Sequence, residues 1–104
     1  MRGLCCRLGI AGAVLLGAVS SGHCADVRKG GQLYAKHCAQ CHGNAGVPVM
    51  PGAPNLTRPE ALMKPDGALA AIVRNGRLSM PGYRGVLQES EIQDVVVYLR
   101  TLLR

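Results

Sequence analysis

The chain contains no Trp and no Phe, and its only large aromatic side chains are three Tyr. A core for 104 residues assembled without them is short of volume, while 14 Gly and 6 Pro imply many turns. A single small domain of this kind needs a staple beyond its own apolar contacts. Acidic residues are also scarce, 6 against 12 Lys and Arg, so the charge favours acidic partners and says nothing finer. No apolar run approaches the roughly 20 residues of a spanning helix. No Ser/His/Asp set, paired-carboxylate site or phosphate-binding loop is visible, which removes the common hydrolytic and nucleotide chemistries, and no nucleic-acid partner is expected.

Leu8 to Val19 runs 12 uncharged residues, behind Met1, Arg2 and Arg7 and ahead of Ser20, Ser21 and His23. A basic start, a short apolar stretch and small residues beyond it form a secretory leader. The expected division is residues 1–24 as leader, cut between 22 and 25, and residues 25–104 as the folded domain. Loss of Arg2 and Arg7 leaves 10 basic against 6 acidic side chains. Export places the domain in the periplasm, with no stable membrane insertion.

Five cysteines are an odd number, which argues against a simple disulfide framework. Cys5 and Cys6 belong to the leader. Cys24 stands at the cut and has three fates: removal with the leader, retention as a thiol, or lipidation, for which His23 is a poor preceding residue. Only Cys38 and Cys41 lie within the domain.

Those two occur as Cys38-Ala39-Gln40-Cys41-His42. The pattern reads as c-type haem attachment. Two thiols three positions apart on one helical turn can each bond a haem vinyl group, and the adjacent imidazole can face the iron. Covalent haem also supplies the missing staple. A C-x-x-C pair alone is equally a thiol redox motif or half of a zinc site. Zinc needs two further ligands, and the domain offers only His37 and His42; a thioredoxin-like site needs βαβ segments that the pattern lacks. His37 is expected to be a solvated helix residue without a role.

Hydrophobic periodicity predicts helices separated by Gly/Pro loops and no strand. Val27, Gly30, Gly31, Leu33, Tyr34 and Cys38 recur at helical spacing over residues 26–39, with Asp26 as N-cap. Residues 43–55 form a loop. Thr57-Arg58-Pro59-Glu60 has capping-box spacing for a short helix to about Met63. Asp66 is expected to cap a helix carrying Leu69, Ile72 and Val73 and ending at Asn75-Gly76. Residues 77–85 form another loop. A last helix starts at Gln88 or Ser90 and runs to about Leu103, with Ile92, Val95, Val96, Leu99, Leu102 and Leu103 on one stripe. Glu89 and Glu91 at its start and Arg100 and Arg104 at its end suit the helix dipole.

With these residues in view, the domain resembles a class I monohaem cytochrome c over residues 27–103. Gly30 and Tyr34 precede Cys38 by eight and four positions, as in the family's first helix, whose glycine lets the last helix cross closely, and Tyr98 matches the aromatic at that crossing. Ala53-Pro54-Asn55-Leu56, Asn75-Gly76 ahead of Met80-Pro81, and Gln88 to Ile92 with Tyr98-Leu99 follow in order. Gln88 departs from the Ser or Thr cap common in similar proteins. The resemblance implies an all-α fold of three to four helices wrapped around one covalent haem c. It also implies a cofactor site of Cys38, Cys41, His42, Pro54, Leu56 and Met80, in which the Pro54 carbonyl accepts a hydrogen bond from His42.

The sixth iron ligand has three candidates, Met50, Met63 and Met80. A methionine in a small protein is commonly core filler, and Met63 is expected to pack at the end of the short helix. Met80 stands in a loop beside a restraining Pro and at the family's Met-Pro position, so His42 and Met80 are the expected metal ligands. Soft sulfur raises the iron potential and two filled axial positions leave no place for substrate. The expected function is a monomeric single-electron carrier, not an enzyme, passing electrons between a dehydrogenase or membrane complex and a terminal acceptor. A dedicated haem subunit of a dehydrogenase and a ligand-binding haem with an open distal site remain alternatives. Arg74, Arg77 and Arg84, with no acidic residue between Asp66 and Glu89, form a candidate basic rim for acidic redox partners.

Overall fold

The computed structural model describes residues 23–104, so residues 1–22 of the expected leader, Cys5 and Cys6 included, lie outside the described residues. Helix α1 spans Val27–His37, α2 Ala39–His42, α3 Asp66–Asn75 and α4 Glu89–Arg100. A 3₁₀ turn, Pro59–Leu62, stands between α2 and α3. No strand occurs among the described residues; Arg77 with Met80 and Arg84 with Leu87 form isolated bridges within loops.

Helix α1 begins as its sequence dictates. Asp26 is extended and its carboxylate accepts from the backbone N–H of Arg28 (2.9 Å) and Lys29 (3.2 Å), two of the donors that a helix start leaves without partners. Its end differs from expectation. The helix breaks at Cys38, and the haem motif occupies a separate short turn, α2. The cause is competition for one acceptor: the Tyr83 hydroxyl donates to the His37 carbonyl (2.9 Å), and the Cys41 N–H turns to Cys38 O instead (3.2 Å).

The first and last helices cross at a single tight point. A Cβ at Gly30 would sit 2.0 Å from the Asp94 carbonyl oxygen, so only glycine permits the approach. Beside it the Tyr34 and Tyr98 rings lie 5.2 Å apart, a tilted aromatic pair that recovers some of the volume absent elsewhere. Asp94, 1% exposed, is the buried charged side chain among the described residues. Its carboxylate accepts from the Asp26 N–H (2.8 Å), which fastens the start of α1 onto α4, and pairs with His23 Nε2 (2.8 Å), a residue on the leader side of the expected division. Nothing in the periodicity marked Asp94.

Two expected caps are replaced. Thr57 does not cap the short helix, because its N–H (3.0 Å) and hydroxyl (2.6 Å) both donate to Asn55 Oδ1; Arg58 takes the cap position and only a 3₁₀ turn forms. Pro65 is the N-cap of α3, and Asp66 lies inside the first turn. The Asp66 carboxylate accepts from Arg100 Nε (3.1 Å) and Nη2 (2.8 Å). The same guanidinium donates to the carbonyls of Leu62 and Lys64, so one side chain of α4 gathers the 3₁₀ turn, its exit and the start of α3.

Helix α4 does take Gln88 as its cap, in a reciprocal box with Glu91 (Gln88 N–H to Glu91 Oε1, 2.9 Å). Ile92, Val95, Val96 and Leu99 are buried along it, and Leu102 just past its end, whereas Leu103 is exposed instead of completing the stripe. Met63 is 78% exposed and packs nowhere, contrary to the expectation of a core role.

Candidate haem site

The walls of the site come from the full length of the domain. Tyr34 and α2 supply one side, the loop after α2 and the 3₁₀ turn a second, α3 and the loop beyond it a third, and Val95 and Leu99 of α4 the floor. Together they enclose a cavity of about 640 Å³, within the range of about 300–1,000 Å³ that cofactor pockets occupy. Cys38, Cys41, His42, Pro54, Leu56 and Met80 all face it, as does Met50; Met63 is not among its walls. Leu69 and Val73 of the expected stripe, together with buried Leu62, which the sequence reading did not single out, complete an apolar interior.

The chemistry of the donors favours a bulky apolar group over a bare ion. Cys38 and Cys41 are both thiols. Burial, reinforced by the neighbouring Cys41, pushes the Cys38 thiol up to about 11, so at neutral pH it rests as the protonated thiol. Among the described residues no group of three or more His, Cys, Asp or Glu converges to hold a metal ion. Burial also lowers the His42 imidazole below its ordinary range, offset in part by the nearby Pro54 carbonyl, which leaves a neutral ring able to ligate. His42 Nδ1 is buried and meets no partner in strict hydrogen-bond geometry, while the Pro54 carbonyl acts on the ring as an acceptor, the pairing that the family resemblance implies. An apolar cavity, two thiols and a neutral imidazole on one wall are what a covalently held macrocycle requires.

The loop carrying Met80 is shaped by its backbone. Gly76 closes α3 at φ +78, and a Cβ there would lie 2.6 Å from Met80 O. Arg77 and Met80 exchange both backbone bonds (3.0 and 2.9 Å), making a tight turn with Leu78 and Ser79 at its tip. Beyond it Tyr83 N–H bonds Val73 O (2.9 Å) and Arg84 N–H bonds Arg74 O (3.0 Å). Arg74 itself is paired with Glu89 through both guanidinium donors, one from Nε at 3.0 Å, which removes it from the expected basic rim. Arg77 and Arg84 remain exposed, Arg84 Nη2 donating to Asn75 Oδ1 (2.8 Å).

Two residues join this loop to the haem motif that sequence reading left aside. Tyr83 faces the cavity, and burial raises its phenol above the ordinary value, the protonated form that its bond to the His37 carbonyl uses. His37 is half-buried, its ring edge-on to Tyr83 with centroids 5.6 Å apart, rather than solvated. Tyr34 likewise donates from a fully buried hydroxyl to Gly43 O (2.6 Å), and burial pushes it up to about 12. Replacing Tyr83 with Phe keeps the ring contact and removes one hydroxyl, so denaturant unfolding should show a loss of about 1 kcal/mol; an unchanged midpoint would mean the bond contributes nothing.

Fold and site together define a small all-helical domain built to hold one haem through a Cys-x-x-Cys-His turn. The family model that matches, over residues 25–99, is described as cytochrome c oxidase, cbb3-type, subunit III. Cytochrome c6 of Thermosynechococcus vestitus is 33% identical over 94 residues, 86% of this chain and 82% of that protein. Among solved structures, a c-type cytochrome, KustC0563, superposes with a TM-score of 0.68 at 25% identity, covering 72% of this chain and 98% of its own. Cytochrome c6 from the diatom Phaeodactylum tricornutum gives 0.65 at 29% identity, with 74% and 93% covered. The chain belongs to the cytochrome c family as a class I monohaem member, and it carries one covalently bound haem c with its iron.

Proposed function

We propose that the protein is a single-electron carrier with His42 and Met80 as axial ligands, exported by its leader to the periplasm, where it shuttles electrons between a dehydrogenase or membrane complex and a terminal acceptor. The observation that carries this reading is one apolar cavity bringing together Cys38, Cys41, His42 and Met80 from opposite ends of the domain. When bound, the haem supplies a one-electron ferric/ferrous couple.

The chain's own residues do the rest. Cys38 and Cys41 hold the group by covalent bonds, and His42, kept neutral by burial, offers its ring to the metal. Met80 offers a thioether from a loop fixed by Gly76, by its bonds to Arg77 and by the Tyr83 anchor. A soft sulfur favours reduced iron. The apolar walls exclude water, so little reorganisation accompanies each change of charge. Were His42 and Met80 both to ligate the iron, no coordination site would remain for a substrate, which supports a carrier over a catalyst. Among the described residues no helix is long and apolar enough to cross a membrane. The redox partners are proteins, and exposed Arg77 and Arg84 favour acidic ones.

Met80→Ala is expected to abolish the weak near-infrared sulfur-to-iron band of the oxidised protein, lower the potential by more than about 100 mV, and admit carbon monoxide. Met50→Ala, from the same cavity, should do none of these. Loss of the band in the Met50 variant alone would transfer the ligand assignment to Met50.

A further inference from the structure

Asp94 is the exception to an otherwise apolar core, and its one ionisable partner belongs to the leader side of the expected division. The side chain is 2% exposed, and both of its bonds fall on one oxygen, Oδ1: the Asp26 N–H and the His23 ring, each at 2.8 Å. Removal of the leader takes the ring away. A buried carboxylate left with a single neutral amide is costly, because its charge is uncompensated. No Lys or Arg among the described residues is paired with it. The charged groups nearby are engaged elsewhere: Lys29 of α1 with Glu91 of α4 (3.8 Å), Arg74 of α3 with Glu89, Asp66 with Arg100, and Asp26 with the start of α1.

The cut that removes His23 also makes a cation at the same place. Gly22 and Cys24 are the small residues that stand three and one positions before a cut preceding Ala25. The Ala25 nitrogen is one peptide from the Asp26 N–H, so chain geometry alone keeps it within roughly 6.5 Å of Asp94 Oδ1, and rotation about one residue brings it nearer. An α-amine is an ammonium at neutral pH. Ala25 is already seated, half-buried in a hollow that it shares with Asp66 and Arg74 of α3 and Glu89, Gln93 and Val97 of α4.

We propose that Asp94 is the receptor for the amino terminus that leader removal creates, with the Ala25 α-ammonium replacing the His23 ring as partner of the buried carboxylate. The cut itself rests on the export reading above. Processing then tightens the fold, since an ion pair fastens the first residue of the finished domain to α4.

The test uses two preparations of holoprotein: one exported behind its own leader, whose intact mass gives the first residue, and one behind a foreign leader cut directly before Ala25. The first is expected to begin at Ala25. In the second, pyridoxal 5′-phosphate converts the terminal amine to a carbonyl and spares the lysines. Loss of the ammonium should lower the folding constant at pH 7, from denaturant unfolding, by at least about tenfold. That is the counterpart of an α-amine titrating at least about one unit above its ordinary value near 8, read from the carbon-13 shift of the Ala25 methyl in the reduced protein. Asp94→Asn keeps an acceptor for the Asp26 N–H and removes the charge. In that variant the same treatment should change the folding constant by less than about twofold, with the amine titrating near about 8.

A native chain cut at another bond, a treated parent as stable as the untreated one, or an equal loss in Asp94→Asn overturns the proposal. An α-amine that titrates at its ordinary value in the parent does so without recourse to any variant. A native chain recovered uncut and outside the periplasm overturns the export reading instead, and the second preparation still decides whether Asp94 receives the terminus.

Discussion

Replacing Cys38 and Cys41 together with Ala is expected to give a chain that retains no haem after denaturation and does not hold its native fold. The first outcome follows from chemistry, since no other cysteine faces the cavity. The second follows from volume. The buried apolar residues of α3, α4 and the 3₁₀ turn converge on a space of about 640 Å³. Without the haem those apolar walls face water that enters through the mouth, and the burial they supply to an already small core is lost. Net stability of a domain is about 5–15 kcal/mol, so the empty form has little or nothing left. Haem staining of a denaturing gel and far-ultraviolet circular dichroism of the purified variant check the two outcomes. Covalent haem in the double variant would sink the attachment assignment, and a native spectrum without haem would show that the apolar walls close on themselves.

Gly30→Ala should be among the most damaging single methyl additions to the described chain, and the one that acts on the crossing of α1 and α4. The new carbon would meet the Asp94 carbonyl oxygen at 2.0 Å and Tyr98 Cβ at 2.9 Å. Neither is the far end of a flexible side chain. Relief requires α1 and α4 to separate, which breaks the Tyr34–Tyr98 contact and strains the bonds from Asp26 and His23 to Asp94. A loss of about 2–4 kcal/mol is expected, at or above the usual range for overpacking because backbone has to yield. For a domain of this size that lowers the melting temperature by roughly 10–25 °C. Gly67→Ala provides the opposite sign, because nothing lies within 4 Å of its Cβ position in α3. Alanine there should gain about 0.5–1 kcal/mol from helix propensity and a less flexible unfolded chain. Calorimetry of the two variants checks the contrast, and a Gly30→Ala protein that melts with the parent would show that the helices can part freely.

What the sequence made legible is what short-range rules govern. Asp26 as N-cap, the stripe from Ile92 to Leu99, the Asn75-Gly76 stop and the Gly30 and Tyr98 crossing all follow from period and local chemistry, the last through family resemblance. The six residues expected at the cofactor site do share one cavity. What was missed depends on partners distant in sequence. Asp94 is buried because His23 and Asp26, some 70 positions away, satisfy it. Arg74 leaves the basic rim because Glu89 is 15 positions on. The break at Cys38 and the burial of His37 originate in a hydroxyl 46 positions later. Thr57 and Asp66 failed as caps because Asn55 and Arg100 competed for their polar atoms. Leu78 carried no warning, since leucine is a common residue at ordinary φ and nothing beside it demanded a left-handed turn.

The reach of Arg100 also bears on the order in which the molecule assembles. Its guanidinium fixes the carbonyls of Leu62 and Lys64 and the carboxylate of Asp66, and Glu60, Ala61, Leu62 and Lys64 supply a wall of the haem cavity. Helix α1, which leads into the haem turn, has its main packing partner in α4 as well. During synthesis, chain segments become available from the amino-terminal side first. The Cys38 and Cys41 thiols are therefore presented while that wall still lacks its clamp and α1 its counterpart. The site stays open from that side until α4 arrives, so the cofactor can be joined to a half-built cup, and the last helix to emerge closes the fold around it.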